Sequence, residues 1–286
     1  MIVNKLTLGE PDFPPTLTTI ASPPKQLYWS GKHPKEWLDR PRVAVVGSRK
    51  ITAYGKLVTE RLVYNLARSD VVIISGLAFG VDVAAHRAAL QVGALTVAVL
   101  PSELERIYPS AHAQTARQIA GQGTLISEYP EGSKVAWKSN FIARNRIISG
   151  LADTLLITEA AINSGSLHTA RFALEQGKTV MAVPGNITSP VSEGCNNLIK
   201  SGAVPVTSAE DVLFALNIRP VAKTGGVFSG SKQEKTVYEL IKGGICAQEE
   251  MAAAAMLDGH QVASTLTMLE LSGYIRPAGA GQWVIA

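Results

Sequence analysis

The chain has 286 residues, 46% of them apolar and 17% charged, and its formal net charge is +4. This composition is typical of a folded globular protein with room for one large domain and a smaller one, and no apolar run approaches the ~20 residues of a membrane span. Two widely separated cysteines exclude a disulfide framework or a cysteine-rich zinc site, and the lack of a signal-peptide pattern predicts a cytoplasmic protein.

Residues 1–41 are irregular and rich in proline, and we interpret them as an N-terminal arm that lies over the following domain. From residue 42 onward, short apolar segments rich in β-branched residues alternate with stretches whose apolar residues recur every three or four positions. This alternation predicts an α/β domain over residues 42–218, with a mainly parallel sheet covered by helices on both faces. The strands are predicted at 43–48, 71–76, 96–101, 124–127, 154–160, 179–185 and 204–207.

The first turn after a predicted strand reads VVGSRKITAYG. It lacks the G-x-G-x-x-G of a dinucleotide site, because Gly47 is followed by Ser48 and Arg49, and the second strand ends in Ser75 and Gly76 instead of an acid. An arginine just past a strand offers a rigid fork of donors to phosphate oxygens or a base edge. A solvated surface arginine is the alternative interpretation of Arg49.

The second such turn, SGLAFGVDVAAH, places Gly76 and Gly80 before a helix, where backbone amides could approach an anion closely. Asp82 and His86 stand four residues apart on one helical face, which would suit a general base pair or half of a metal site. We favour a capping role for Asp82 and a hydrogen-bonded structural role for His86.

The stretch FIARNRIISG, residues 141–150, combines an aromatic ring, two arginines and an asparagine just before an apolar segment. A solvated helix start would explain one arginine, but not this whole set. Single-stranded nucleic acid requires a ring on which a base stacks, arginines for phosphates and amides for base edges. The pattern therefore predicts nucleic-acid contact through Phe141, Arg144, Asn145 and Arg146, with Lys138 just upstream.

The turn EAAINSGSLHTARFA brings Ser164, Gly165 and Ser166 to the start of a helix, where hydroxyls and free amides can hold a phosphate; an ordinary serine cap is the alternative. Glu159 could be catalytic, but the sequence pairs no nucleophile with it. The later EQGKT stretch is not a P-loop, because Phe172 stands where that motif requires glycine and a helix precedes the loop.

Residues 219–233 have the glycine, serine and lysine content of a linker, and 234–286 are predicted to form a second domain. Its three short helices, followed by two strands around a Pro-Ala-Gly-Ala-Gly turn, are typical of a winged helix. Three basic and six acidic residues give this domain a charge of −3, whereas residues 1–233 carry +7. Because a winged helix gains most of its DNA affinity by neutralising phosphates, we favour a protein-interaction or regulatory role.

Several motifs together resemble, in order and spacing over about residues 10–215, the DNA-processing protein A family, also called DprA or Smf. They are VAVVGSRKITAYG, SGLAFGVDVAAH, IYPSAH, SEYPEG, RNRIISGLAD, EAAINSGSLHTARFALEQGKTVMAVPG and GCNNLIKSGA. The resemblance implies an extended Rossmann domain that binds single-stranded DNA, protects it and hands it to the RecA recombinase during natural transformation. It also implies a homodimer formed through that domain, no cofactor or metal, and no established catalytic reaction.

Carried over motif by motif, the resemblance implies a DNA pocket that extends over four parts of the chain. Its residues would be Arg49, Ser75, Gly76, Gly80, Lys138, Phe141, Arg144, Asn145, Arg146, Ser164, Gly165 and Ser166. Two departures stand out: Glu103 lies in a loop where family members usually have glycines, and Ile142 replaces the proline of the family's FPxRNR motif.

An enzyme is the main competing hypothesis, because related Rossmann proteins cleave nucleoside monophosphates and a pocket for one nucleotide of DNA could hold a free nucleotide. A Gly-Gly-Gly-Thr loop with a following glutamate would favour such a phosphoribohydrolase, and EAAINSGS lacks it. A transcription regulator acting through the winged helix is a weaker hypothesis, because that domain is acidic.

Overall fold

The computed structural model describes residues 2–133, 137–218, 230–279 and 281–285, with residues 137 and 138 described by their backbone alone. The chain divides into two compact units, residues 1–220 and 221–286. In these described ranges, no helix has both the length and the apolar content that crossing a bilayer requires.

One sheet of nine strands forms the centre of the described part of the first unit, in the order β1-β2-β6-β5-β4-β3-β7-β8-β9. The seven strands from β6 to β9 in that order are parallel, whereas β2 is antiparallel to both β1 and β6. The strands are β1 Asn4–Thr7, β2 Gln26–Gly31, β3 Arg42–Val46, β4 Val72–Ser75, β5 Thr96–Leu100, β6 Thr124–Ser127, β7 Thr154–Ile157, β8 Thr179–Ala182 and β9 Val204–Pro205.

Helices cover both faces of this sheet. Along β3, Val43 and Val45 belong to one buried cluster, while Ala44 and Val46 belong to the opposite one. Because successive strand residues point to opposite faces, this alternation shows that β3 is buried on both sides. The helices are α1 Pro15–Thr18, α2 Lys35–Leu38, α3 Ala53–Arg68, α4 Val81–Gln91, α5 Ala113–Gln122, α6 Trp137–Leu151, α7 Ser166–Glu175, α8 Glu193–Lys200 and α9 Ala209–Ala215.

The predicted fold class is confirmed, since each of the seven predicted segments overlaps one of the parallel strands β3 to β9. The expectation of an irregular N-terminal arm is wrong in one respect. Residues 1–41 contribute β1 and β2, and β2 pairs with β6 in the register Gly31 to Thr124. Trp37, which follows β2, is fully buried, and its Nε1 donates to Thr124 Oγ1 of β6 at 2.9 Å.

The second unit has its own core, built around Val237, Met251, Val262 and Leu266. Its element order is the one predicted for a winged helix: α10 Lys232–Lys242, α11 Gln248–Ala255, α12 Gly259–Leu271, β10 Ile275–Gly279 and β11 Gln282–Ile285, the two strands antiparallel. Most of the predicted linker, residues 219–229, lies outside the described residues, and α10 begins at the linker's last positions.

Candidate nucleic-acid interface

A cleft of about 740 Å³ opens at the carboxyl ends of β3 and β7. These neighbouring strands are where the connections diverge, because the chain leads from β3 towards β4 and from β7 towards β8. Parallel sheets bind ligands at such a switch point. Three segments supply most of the lining: residues 46–50 after β3, the face of α6 that carries Phe141, and the loop and first turn of α7 around Ser164.

An arginine and an aromatic ring meet in the lining of this cleft. The guanidinium carbon of Arg49, an exposed residue, lies 4.7 Å from the centroid of the Phe141 ring, within the range of a cation–π contact. Tyr108 packs against the same ring edge to face, at 5.5 Å between centroids. The ring is therefore held between two partners, and the charge beside it is open to solvent.

The face that α6 presents to the cleft follows helical spacing, since Phe141, Arg144, Asn145 and Ile148 all line it. The same spacing turns Arg146 to another face of the helix. Its Nη2 donates to both carboxylate oxygens of Glu128, at 2.6 and 2.8 Å. Arg146 is not among the residues that line the cleft, so its predicted contact with DNA stays a prediction and would require a break in its pairing with Glu128.

Arg144 is almost fully buried beneath the cleft and serves as a brace. Its Nη1 donates to the carbonyl of Gly76 at 2.7 Å and also to that of Val99, and its Nε donates to Asn145 Oδ1 at 3.3 Å. Burial lowers the pKa of Arg144 to about 10, and the opposite charge of Asp82 counters the shift, so the side chain stays cationic at neutral pH. The guanidinium thus joins the ends of β4 and β5 to α6.

Ser75, Gly76 and Gly80 lie behind the cleft instead of lining it. The fully buried Ser75 hydroxyl donates to the carbonyl of Val45 at 2.6 Å. A Cβ on Gly76 would come within 2.5 Å of the Arg144 guanidinium. Ser75 and Gly76 are buried and allow the close packing that supports the site, whereas Gly80 is half-buried, and the direct contacts with DNA predicted for the three residues stay predictions.

The start of α7 forms another part of the cleft. Ser164, Gly165 and Ser166 all line it, and the Ser164 and Ser166 hydroxyl oxygens are 2.8 Å apart. The first amides of α7 already have acceptors, because Ser166 N donates to Ser164 Oγ at 3.4 Å and Leu167 N donates to the carbonyl of Ser164 at 3.1 Å. The predicted phosphate contact of this segment therefore stays a prediction, with the two hydroxyls as its polar groups. For Lys138, the backbone belongs to the first turn of α6, and its side chain lies outside the described residues.

Sequence reasoning missed several residues of the cleft, and three of them carry a cation or an aromatic ring. Lys50, Tyr108 and His168 line it, and all three are exposed. Lys50 directly follows Arg49, and His168 lies in the first turn of α7, so proximity to a predicted site residue was the available signal. Tyr108 carried no such signal, because its contact with Phe141 joins residues far apart in the chain.

The hydrogen-bonded structural role favoured for His86 agrees with the structure, but the capping role favoured for Asp82 is wrong, because the N-cap of α4 is Gly80 and Asp82 binds amides of the preceding turn. Asp82 Oδ2 accepts from the amides of Gly76 and Ala78, at 3.2 and 3.4 Å, and burial raises the pKa of Asp82 against the opposing effect of Arg144. His86 Nδ1 lies 2.8 Å from Thr96 Oγ1. Because that hydroxyl itself donates to the carbonyl of Ile73, His86 donates through Nδ1 and is neutral.

The buried His86 predicts a loss of stability in acid. Burial lowers the pKa of His86 to about 3, with the positive charges of Arg144 and His112 adding to the effect. An unfolded histidine takes up its proton near pH 6.5, so the stability is present above that pH and falls by about 1.4 kcal/mol per pH unit below it. Urea unfolding at pH 7, 6 and 5 should show a weaker pH dependence in His86→Gln than in the wild type. Equal slopes would contradict this assignment.

Glu159 and Lys178, the lysine of the EQGKT stretch, each stabilise the end of a helix. Glu159 Oε1 accepts from the Thr52 amide at 3.0 Å, and its other oxygen accepts from the Thr52 hydroxyl, which fixes the start of α3. Lys178 Nζ donates to the carbonyls of Gly150, at 2.8 Å, and Ala152 at the end of α6. Burial lowers the pKa of Lys178 to about 8. The GKT stretch follows α7 and leads into β8, which confirms that it is not a P-loop.

Comparison with known proteins gives matches over most of this chain. The family model for DNA recombination-mediator protein A matches residues 4–217. A Mycobacterium tuberculosis relative designated DNA processing protein DprA is 39% identical over an alignment of 259 residues that covers 85% of this chain and 66% of that protein. The chain thus spans just under two thirds of that relative's length.

Two solved structures are similar to the first unit. DNA processing protein A from Streptococcus pneumoniae is 40% identical, with a TM-score of 0.70 over 74% of this chain and 73% of that one. DNA processing protein A from Helicobacter pylori, whose structure is described for its single-stranded DNA binding mode, is 32% identical. Its TM-score is 0.67, over 75% of this chain and 95% of that one.

Proposed function

The chain belongs to the DNA recombination-mediator protein A family, and we propose that its main cleft binds single-stranded DNA. The observation that carries the proposal is the contact of Arg49 with the Phe141 ring in the same cleft as the start of α7. A ring stacks a base of any sequence, while the arginine and the hydroxyls at the start of α7 offer donors to the phosphates that flank it.

Charge in the cleft supports this ligand. Arg49 and Lys50 are exposed cations of the lining, and the buried Arg144 adds a third positive charge beneath them. Asp82 is the acidic residue among the described lining residues, and it accepts backbone hydrogen bonds. The positive excess favours a polyanion, and affinity for one falls as salt rises, because the release of DNA counterions on binding then yields less free energy.

Arg49→Ala is expected to weaken binding of a labelled thymine oligonucleotide by about 1 kcal/mol or more, because it removes a charge-assisted contact. Fluorescence anisotropy at low and moderate salt measures the change, first with the single strand and then with the duplex. The wild type should prefer the single strand and lose affinity as salt rises.

Arg117→Ala is the matched control, because this exposed arginine of α5 lies outside the cleft lining and its loss removes the same charge. A specific cleft contact requires Arg49→Ala to lose clearly more affinity than Arg117→Ala. Equal small losses in both variants would reduce the role of Arg49 to nonspecific attraction. Wild-type affinity in Arg49→Ala would exclude the assignment of this cleft.

The second candidate is a nucleotide-binding enzyme related to nucleoside monophosphate phosphoribohydrolases, and the volume of the cleft also suits one nucleotide. It has weaker support, because the carboxylates of Glu159 and Asp82 accept backbone hydrogen bonds instead of facing a nucleophile. We therefore propose a non-catalytic protein. Release of free base from any of the common nucleoside monophosphates, with no affinity for the oligonucleotide, would reverse the order of the two candidates.

We further propose that the protein shields incoming DNA in the cytoplasm and loads the RecA recombinase on it, as a homodimer formed through the first unit. The acidic second unit then serves protein contact or regulation, since α12 presents no lysine or arginine to a phosphate backbone. Sedimentation at increasing protein concentration tests the dimer. RecA assembly on single strands coated with a competing binding protein tests the loading, and no gain from adding this protein would reject it.

A further inference from the structure

A second cleft, of about 540 Å³, adjoins the first. It lies at the carboxyl ends of β7 and β8, and Val191 lines both clefts. Its other walls come from the start of α3 and the loop after β8, chiefly Thr52, Tyr54, Pro184 and Ser192. The two clefts therefore form a continuous depression along one edge of the sheet.

Tyr54 gives this second cleft an aromatic wall. The side chain is 50% exposed, yet its hydroxyl donates to the carbonyl of Pro184 at 3.0 Å. The ring is thus tied at both ends, by the first turn of α3 at its Cα and by the loop after β8 at its hydroxyl. An exposed ring that is already held in place stacks on a base with little further loss of conformational entropy.

One loop connects the two rings. The segment after β3 places Arg49 and Lys50 in the main cleft, and its continuation places Thr52 and Tyr54 in the second. The loop after β3 therefore carries the exposed cations Arg49 and Lys50 beside the ring of Phe141, and it leads on to the ring of Tyr54. A strand that stacks its bases on two neighbouring rings needs cations of this kind for the phosphates between them.

The rest of the second cleft suits a base better than a phosphate. Glu159 is the acidic residue among the described residues that line this cleft. It is buried, and its carboxylate accepts two hydrogen bonds from Thr52 at the start of α3. Pro184 and Val191 give apolar surface. Ser192 adds a hydroxyl that packs directly on Gly185, where a Cβ would lie 2.2 Å from its oxygen. Apolar walls with a few hydroxyls are the usual surroundings of a bound base.

We infer that the second cleft binds the base of the nucleotide next to the one stacked on Phe141, with Tyr54 as its stacking ring. This inference rests on the proposed function and extends it, because it gives the bound DNA strand a path across the protein. The bound DNA strand passes from α6 over the loop after β3 to the loop after β8.

Photocrosslinking distinguishes the inference from the proposed function. Thymine oligonucleotides that carry 5-iodouracil at one position each are bound to the full chain, irradiated and mapped by mass spectrometry. We expect an adduct at Tyr54 from the position adjacent to the one that gives an adduct at Phe141. Adducts at Phe141 with none at Tyr54 from any position would overturn the inference and leave the proposed function intact. Failure of the oligonucleotides to bind at all would overturn both.

Affinity gives a second readout. Tyr54→Ala should weaken oligonucleotide binding about fivefold or more, the lower end of what one stacked base contributes. Tyr64→Ala is the control, since Tyr64 lies on the same helix, is 41% exposed and has its ring 5.6 Å from the guanidinium of Arg68, outside both clefts. Equal affinities of the two variants would overturn the inference. Should Tyr54→Ala not fold, Tyr54→Leu supplies the same comparison.

Discussion

Replacing Arg144 by methionine is expected to lower the free energy of unfolding by about 2–4 kcal/mol and to reduce binding of single-stranded DNA below detection. Methionine fills much of the same volume but donates no hydrogen bond. The buried carbonyls of Gly76 and Val99 then lose a donor, and the buried carboxyl of Asp82 loses a nearby cation. The ends of β4 and β5 would then separate from α6, and Phe141, which α6 carries, would move out of position.

Urea unfolding and fluorescence anisotropy on the same preparation measure the two effects. Arg49→Ala is the counterpart, because this exposed arginine should lose affinity at unchanged stability. Arg144→Lys should recover little, since an ammonium group cannot reproduce the planar fork of donors. Wild-type stability in Arg144→Met, together with lost binding, would mean that Arg144 acts on DNA directly. Wild-type values of both would remove it from the site.

Gly80→Ala is expected to destabilise the protein by about 2–3 kcal/mol and to weaken DNA binding at the same time. Gly80 has φ +77°, a conformation that side chains other than glycine rarely adopt. A Cβ there would also lie 2.0 Å from the Ser48 carbonyl oxygen and 2.8 Å from the Arg49 backbone. The loop that carries Arg49 must therefore move away from the start of α4, and its contact with Phe141 would be lost.

Gly93→Ala is the control that separates backbone strain at positive φ from a steric clash of the new Cβ. Gly93 has φ +67°, but a Cβ there meets no atom within 4 Å, so this variant should lose only about 1–2 kcal/mol and bind DNA normally. Thermal or urea unfolding of both variants, followed by anisotropy in conditions where each is folded, measures the difference. If Gly80→Ala bound DNA as well as Gly93→Ala, the position of the loop after β3 would not matter for binding.

The central sheet could be predicted from the sequence because its strands are buried on both faces. Residues 43–46 are all apolar, so the segment has the composition of a core strand whatever surrounds it. Helical stretches between such segments then determine a parallel arrangement, and parallel strands bring their following loops to one edge. This is why the loops that carry Arg49 and Ser164 could be expected at one edge of the sheet, whereas the place of Phe141 beside them came from the family resemblance.

Other features depended on contacts that the sequence does not display. The strand β2 lies between prolines, and it becomes a strand by pairing with β1 and β6. Arg144 and Arg146 are two positions apart in one motif, but the phase of α6 sends one below the cleft and the other to Glu128. That phase depends on where the helix packs, which no local pattern revealed.

The position of β2 also has a consequence for synthesis of the chain on the ribosome. Gly31 pairs with Thr124, so β2 is made about ninety residues before its partner strand leaves the exit tunnel. At ~5–20 residues per second this interval lasts roughly 5–20 s. Throughout it Leu27 and Trp29, both buried in the finished sheet, have no β6 to pack beside, which gives nascent-chain chaperones a defined window on this segment.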